Sequence, residues 1–320
     1  MFDVKWERPL HQAPGTVRPA IAPGRVVVHE RGTRLVCLDA VDGSVRWDVP
    51  IGTWPRAIVI AGARCLVLPQ LPRELVCLDL DTGRREWTVE LDGFVGHLVV
   101  AGGVVLAGGW RGYRPVRLYD VESGRLLATA DVHTVRPAVV DGGFLTGTPG
   151  GTEVRLLDGR DLSAVAAWTL PEPLADPDHR RAFTPVGGRF LVRCGRRGFA
   201  EVGRPEVVAH ADHDLTSDAP HVVGGRVWLR ERLGYTTVAD GRVGWRFAEV
   251  GQTLVGRVQP AGEGFLVPGG AGTLFHLDRD GQVRERVQVG RRISAVREHG
   301  PDGLLVLTKG TLLALGSRLG

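Results

Sequence analysis

The stretch Leu75–Gly93, LVCLDLDTGRREWTVELDG, sets the pattern for the rest of the chain. Its first part, LVCLD, predicts a strand whose side chains alternate between two faces. Asp79, Thr82 and Gly83 predict a tight turn, because Asp and Thr side chains bond nearby backbone groups and Gly tolerates a positive φ. The following segment, REWTVEL, contains Trp87 and predicts a second strand. A single hairpin cannot bury its apolar face, so this stretch must be one unit of a larger array.

The same hairpin recurs with a period of about 40 residues. An earlier copy, LVCLDAVDGSVRWDV, spans Leu35–Val49, and the separation from Asp39 to Asp79 equals that from Trp47 to Trp87, 40 residues. Weaker copies of the hairpin centre on Asp120, Asp158, Asp240 and Asp278. The chain is therefore predicted to be a repeat protein.

A second series of glycine turns, each flanked by apolar strands, lies between these hairpins. Its eight members are Gly24, Gly62, Gly102, Gly142, Gly187, Gly224, Gly262 and Gly303. Each repeat then contains strand A, a Gly turn, strand B, a loop, strand C, an Asp/Gly turn and strand D. Eight such units fit the length of 320 residues.

The eighth unit ends after its strand C, and its strand D is predicted to come from the other end of the chain. Trp6 lies one period before Trp47, so the N-terminal strand Val4–Glu7, within residues 1–10, should pair beside Thr311–Leu315. Closure of this kind leaves no long unprotected edge. We therefore predict an all-β fold in which residues 1–320 form one domain, an eight-bladed β-propeller of four-stranded antiparallel blades.

Composition narrows the possible functions. The sequence has 45 glycines and 20 prolines and contains no apolar run of 18 residues, which predicts an all-β protein that does not bind membranes. The N-terminus has no signal-peptide pattern, so a cytoplasmic monomer is expected. Nucleic-acid binding is disfavoured, because 40 basic residues are nearly balanced by 36 acidic ones and only 6% of residues are aromatic.

The four cysteines contain no C-x-x-C pair. This spacing argues against a thiolate zinc site or a redox motif. Cys37 and Cys77 occupy the same strand C position in neighbouring repeats, and they are predicted to be buried, reduced core residues.

Two motifs carry a resemblance to a known family. Cys37-x-Asp39-x-x-Asp42-Gly43-x-x-x-Trp47 and Cys77-x-Asp79-x-x-Thr82-Gly83-x-x-x-Trp87 resemble the A-x-D-x-x-T-G-x-x-x-W repeat of quinoprotein-type (PQQ-like) propellers, including the BamB-type eight-bladed propellers. The resemblance implies that Trp6, Trp47 and Trp87 pack between blades. In later repeats the tryptophan is lost, or is displaced, as at Trp168 and Trp245.

The chemistry of the quinone-dependent members of that family is not expected here. Those dehydrogenases use a vicinal disulfide beside the quinone and bind calcium through carboxylate and amide ligands. This sequence has no Cys-Cys pair and no matching calcium site. We therefore expect no quinone and no other cofactor, and the function has to be sought in the loops.

The D–A and B–C loops, which share one face of a propeller, carry most of the histidines and loop aromatics. A funnel of positive potential there would favour an anionic ligand, either a small molecule or a protein partner. Arg136 and Arg257 lie nearest the start of strand A and should face the axis most directly. An arginine-rich protein whose loop residues are only solvated, and bind nothing, would carry the same residues on this face. The candidate ligand-binding residues are Trp54, Arg56, His97, Trp110, Arg111, Tyr113, Arg136, Arg181, Arg230, Tyr235, Arg257 and Arg292.

A cofactor-independent enzyme, such as a cyclase, isomerase or lyase of secondary metabolism, is the alternative function. Arginines of the funnel would then stabilise developing negative charge, and His133 or His213 would act as acid or base. A metal site at His210–Asp214 is disfavoured, since consecutive residues rarely all point at one ion, and no metal is expected. Whether the protein is catalytic stays open at this stage.

Overall fold

The fold is described here from a computed structural model. The residues described are 2–11, 17–109, 115–132, 134–175, 181–203, 207–210, 213, 215–216, 219–232, 234–239, 242–249, 253–255, 257–290, 292–299 and 303–317. Their regular structure consists of strands, arranged in eight four-stranded antiparallel sheets. Across these ranges we find no helix of the length and apolarity needed to cross a membrane.

The first four blades follow the predicted order of strands. The first comprises β2 (Ala20–Ala22), β3 (Arg25–Glu30), β4 (Arg34–Asp39) and β5 (Val45–Pro50). The second comprises β6 (Ala57–Ala61), β7 (Arg64–Leu68), β8 (Glu74–Asp79) and β9 (Arg85–Glu90). The third comprises β10 (His97–Ala101), β11 (Val104–Gly108), β12 (Val116–Asp120) and β13 (Leu126–Ala130). The fourth comprises β14 (Ala138–Val140), β15 (Gly143–Gly147), β16 (Glu153–Leu157) and β17 (Ala164–Thr169).

The next three blades repeat the arrangement. The fifth comprises β18 (Phe183–Val186), β19 (Arg189–Cys194), β20 (Gly198–Val202) and β21 (Val208–His210). The sixth comprises β22 (His221–Val223), β23 (Arg226–Arg230), β24 (Tyr235–Ala239) and β25 (Arg242–Phe247). The seventh comprises β26 (Gln259–Ala261), β27 (Gly264–Pro268), β28 (Thr273–Leu277) and β29 (Val283–Gln288).

The eighth blade closes the ring with strands from both ends of the chain. It comprises β30 (Ile293–His299), β31 (Gly303–Thr308), β32 (Thr311–Ser317) and the N-terminal β1 (Phe2–Pro9). In the β1–β32 pair Val4 lies opposite Leu315 and Glu7 opposite Leu313. The predicted eight-bladed propeller and its closing strand are therefore confirmed.

The Gly turns lie where the repeat pattern put them, with one difference. Seven of the eight predicted glycines lie in two-residue turns between strands A and B and have positive φ. Gly303 instead begins β31. The turn that precedes Gly303 includes residues 300–302, which lie outside the described residues.

Tryptophans lock the last blade to the first, the first to the second and the second to the third, as the resemblance implied. The ring of Trp47 on β5 lies 2.7 Å from where a Cβ on Gly83 would stand, and its indole Nε1 donates to the Leu80 carbonyl at 2.8 Å. Trp6 and Trp87 dock in the same way on Gly43 and Gly124. The motif thus needs Gly in the turn, because a side chain there would occupy the place of the neighbouring indole.

Trp245 performs the same docking, although the sequence pattern indicates a displaced residue. Its ring covers Gly281 in the seventh blade, and its Nε1 donates to the Arg279 carbonyl at 3.3 Å. The strand C–D turn of its own blade, residues 240–241, lies outside the described residues. The spacing of Trp245 from that turn therefore did not predict which blade its indole contacts.

The cysteines lie in the core as predicted. Cys37 and Cys77 are fully buried and free. Burial raises the pKa of Cys37 to about 11 and that of Cys77 to about 12, so both remain neutral thiols at physiological pH. Cys65 and Cys194 are also free and buried.

Candidate functional site

Three arginines recur at one register position of the innermost strands. Arg18 lies four residues before the end of β2, Arg136 four before the end of β14, and Arg257 four before the end of β26. Strand A is innermost, since the A strands of neighbouring blades lie against each other around the axis. Its first residues lie on the face of the D–A loops. The repeated register therefore puts these arginines at the mouth of the central channel on that face.

Arg297 joins this set from the last blade, although it lies deeper in its strand. It stands opposite Leu305 within β30, two residues beyond the position equivalent to Arg18. Burial first, and then the charges of neighbouring arginines, lower the pKa of Arg297 to about 10, so it stays cationic at neutral pH. The neighbours that act on it are Arg18, Arg181 and Arg136.

The effect on Arg136 is consistent with the same grouping. Burial lowers its pKa, and the charges of Arg181 and Arg18 lower it further. Arg18, Arg136, Arg181 and Arg297 are called the arginine cluster below. Burial and neighbouring like charges both disfavour the charged forms of Arg136 and Arg297, and an anion beside them would offset both effects.

Ion pairing differs between the two faces of the propeller. On the face of the A–B and C–D turns, Arg25 contacts Asp81 and Arg64 contacts Glu122, each at 2.7 Å. At the mouth, within the described ranges, no carboxylate forms an ion pair with Arg18, Arg136 or Arg297. One guanidinium nitrogen of Arg297 donates instead to the Val296 carbonyl at 2.8 Å. Among the described residues, these three arginines of the mouth therefore differ from Arg25 and Arg64, which are paired with carboxylates.

A pocket lies between the last and first blades beside two members of the arginine cluster. Arg18 and Arg297 line its polar side. The remaining wall is mainly apolar and consists of Pro19, Ile21, Ala295, Leu305, Leu307 and Leu312. The site can therefore contact both a charged group and a small apolar one.

A second group of arginines surrounds His221 on β22. This histidine is buried, and burial followed by the charges of Arg257, Arg181 and Arg230 lowers its pKa to about 3. The Val258 amide donates to its Nε2 at 3.3 Å, so Nε2 carries no proton and the neutral ring carries its proton on Nδ1. Arg181 acts on Arg136, Arg297 and His221, so it lies near both groups.

Four of the predicted ligand residues belong to the arginine cluster or to the group around His221: Arg136, Arg181, Arg230 and Arg257. Arg56 and Arg292 are exposed outside them. Trp54 is 66% exposed and stands beside the Thr53–Leu71 bridge of the second blade.

The two remaining described candidates are buried. His97 packs against the backbone of Gly108 and Gly109. The Tyr235 ring is 1% exposed and packs edge-on against Trp228 and His221, so it supports the His221 group and has no surface left for a ligand. Trp110, Arg111, Tyr113 and His133 lie outside the described residues.

The other candidate catalytic residue, His213, is half-buried beside a carboxylate. Its Nδ1 lies 3.6 Å from Glu231 Oε1, and the Thr236 hydroxyl donates to Glu231 Oε2 at 2.7 Å. The hydroxyl holds the carboxylate in place, and the carboxylate can orient the imidazole. This pair is the only arrangement in the described chain that brings a predicted catalytic histidine to an acid.

Sequence reasoning missed Arg18 and Arg297. A signal for Arg18 was present, because it shares the register of Arg136 and Arg257 when each is counted back from its Gly turn. Arg297 gave no such signal, since it lies in the middle of a seven-residue strand A, two residues beyond the shared register position.

Among the residues described, no group of three or more His, Cys, Asp or Glu side chains lies close enough together to hold a metal ion. The four cysteines are free thiols buried in the core.

Comparison with known proteins confirms the predicted resemblance. Residues 3–93, which span the closing strand and the first two blades, match the family model described as "Outer membrane protein assembly factor BamB". No curated protein sequence matches the chain.

Solved structures share the fold at low sequence identity. BamB from Moraxella catarrhalis is 15% identical with a TM-score of 0.79, over 99% of this chain and 100% of that one. Sqt1 from Saccharomyces cerevisiae is 10% identical with a TM-score of 0.76, over 99% of this chain and 100% of that one. The quinohemoprotein alcohol dehydrogenase ADHIIG from Pseudomonas putida HK5 is 11% identical with a TM-score of 0.70, over 98% of this chain and 76% of that one. These structural similarities show that the chain shares the propeller fold, and the family resemblance extends over residues 3–93.

Proposed function

We propose that this propeller binds an anionic ligand, without a quinone, at the channel mouth on its D–A loop face. One observation carries the proposal. Arg18, Arg136 and Arg297 converge there from three blades, and no described carboxylate pairs with them.

The chemistry of guanidinium supports an oxyanion as ligand. Its planar N–H groups match the two oxygens of a carboxylate or phosphate, and a charge-assisted hydrogen bond contributes roughly 1.5–3 kcal/mol when it is desolvated. The lowered pKa values of Arg136 and Arg297 reflect partial burial and mutual repulsion. A bound anion would offset both effects.

The ligand is either a small anionic molecule or an acidic segment of a partner protein. The matching family model is described as an assembly factor, which supports the partner alternative. The pocket beside Arg18 and Arg297 favours the small molecule, because it is enclosed by side chains of two blades.

A non-redox enzyme, a cyclase, isomerase or lyase, remains the second candidate. The His213–Glu231 pair is the observation that favours it. The variant His213→Gln distinguishes the two candidate functions. It should leave anion affinity unchanged in a binding protein and abolish turnover in an enzyme. Turnover by the wild type, lost in this variant, would establish the enzyme.

The experiment that tests the proposal is calorimetric titration with inorganic phosphate at low ionic strength. If two contacts of about 1.5 kcal/mol are lost, Arg136→Ala/Arg297→Ala should bind about 100-fold more weakly than the wild type. The control is Arg84→Ala/Arg125→Ala on the opposite face, which should bind like the wild type. Equal affinity in all three proteins would overturn the proposal.

A further inference from the structure

The pocket between the last and first blades combines two cations with an apolar wall. Arg18 comes from the segment that leads into β2, and Arg297 from β30, so the two charges approach from opposite sides of the ring closure. The apolar side is formed by Leu305, Leu307 and Leu312, all buried in the core that joins these blades. The pocket therefore has one charged side and one apolar side, in contact with each other.

The size of the pocket limits what the apolar side can accept. Its volume is about 10 Å³, room for one water molecule or one methyl group. On the apolar side of the pocket, away from Arg18 and Arg297, the leucines offer no hydrogen-bond partner to a water molecule. A methyl group suits the leucines better.

We infer that the anion bound by this protein carries a methyl-sized apolar group next to its charged group, with the charge on Arg18 and Arg297 and the methyl group against Leu305, Leu307 and Leu312. This inference rests on the proposed anion binding and specifies the ligand class. Small alkyl carboxylates and alkylphosphonates have this chemistry, and so does the carboxylate of a C-terminal alanine.

The direct test is a series of chain lengths measured by NMR chemical-shift titration at low ionic strength. Acetate should bind about fourfold more tightly than formate, the gain expected from burying one carbon. Butyrate should gain nothing further over acetate, because the pocket is then full. Affinity that is flat from formate to butyrate, or that rises steadily through it, would overturn the inference.

Two variants tie the effect to the pocket. Ala295→Val fills the space, so it should remove the preference for acetate over formate. Ile21→Ala enlarges the space, so it should shift the optimum from acetate to a longer chain. If neither variant changes the chain-length preference, the apolar group lies elsewhere and the inference fails.

The source of the ligand is resolved with two further probes. N-acetyl-L-alanine binding more tightly than N-acetylglycine would support a peptide C-terminus, whereas binding of acetate without either peptide analogue would support a free small acid. Absence of binding by every anion, phosphate included, would overturn the proposed function as well. Binding of phosphate without any alkyl preference would overturn this inference alone.

Discussion

Arg18 and Arg297 are separated by almost the whole chain, yet they line one pocket where the last blade meets the first. The pairing of β1 with β32 brings these two ends of the chain together. The strand that closes the ring therefore also assembles the most distinctive part of the candidate site. Stability of the closure and binding at the mouth should be linked.

Deletion of residues 1–9 tests the closure. The change removes the strand opposite β32, the buried Trp6 ring and its hydrogen bond to the Ala40 carbonyl. Loss of a buried Trp alone costs roughly 3–5 kcal/mol, so the melting temperature should fall by about 10 °C or more. Val4→Ala, at an exposed position on the same strand, should melt like the wild type. A truncated chain that melts like the full one would contradict the closure.

The Trp–Gly docking predicts a coupled pair of substitutions. Gly83→Ala places a Cβ 2.7 Å from the Trp47 ring at a φ of +72°, and it should destabilise the protein by roughly 1–3 kcal/mol. Gly62→Ala has a φ of +58° and open space, so it reports the backbone effect alone. In a Trp47→Ala background the two Gly substitutions should cost the same in denaturant unfolding. A persistent difference would show that the indole is not the cause.

These locking contacts show why the fold could be predicted from the sequence. The turn glycine and the tryptophan that covers it recur at a fixed spacing in the sequence. The repetition of the hairpin around Asp39 and Asp79 therefore predicted the blades. The candidate site repeats only in part, because Arg18, Arg136 and Arg257 share a register position and its other residues do not. Arg297 reaches the mouth from the middle of a strand, and Tyr235 turns into the core although it follows a loop. Side-chain direction at a channel depends on strand register and on packing against the next blade, neither of which the repeat pattern specifies.

His221 predicts a specific dependence of stability on pH. Its pKa is about 3 in the folded protein and about 6.5 when unfolded, so the unfolded chain takes up the proton first as pH falls. Stability present above pH 6.5 should therefore be lost towards pH 3, by about 1.4 kcal/mol per pH unit. His221→Gln should remove this contribution in urea unfolding between pH 6.5 and 4. His276→Gln is the control, and an unchanged slope in His221→Gln would refute the assignment.

The arginine cluster predicts a substitution that stabilises the protein while it weakens binding. Arg297→Met removes a partly buried charge that other arginines repel, so the melting temperature should rise by a few degrees at low ionic strength. Added salt should shrink that gain by screening the repulsion. Arg279→Met is the control, because Arg279 is exposed and contacts Glu263 at 3.4 Å. A fall in melting temperature at low salt would show that Arg297 contributes net stabilising contacts.

The central claim, that an anion binds among Arg18, Arg136 and Arg297, is tested most directly by locating one. Crystals equilibrated with low-millimolar selenate would reveal a bound anion by the anomalous scattering of selenium. We predict the strongest peak at the channel mouth within hydrogen-bond distance of at least two of these guanidinium groups, and its loss in Arg136→Ala/Arg297→Ala. A map with peaks only elsewhere on the surface, and none at the mouth, would contradict the account.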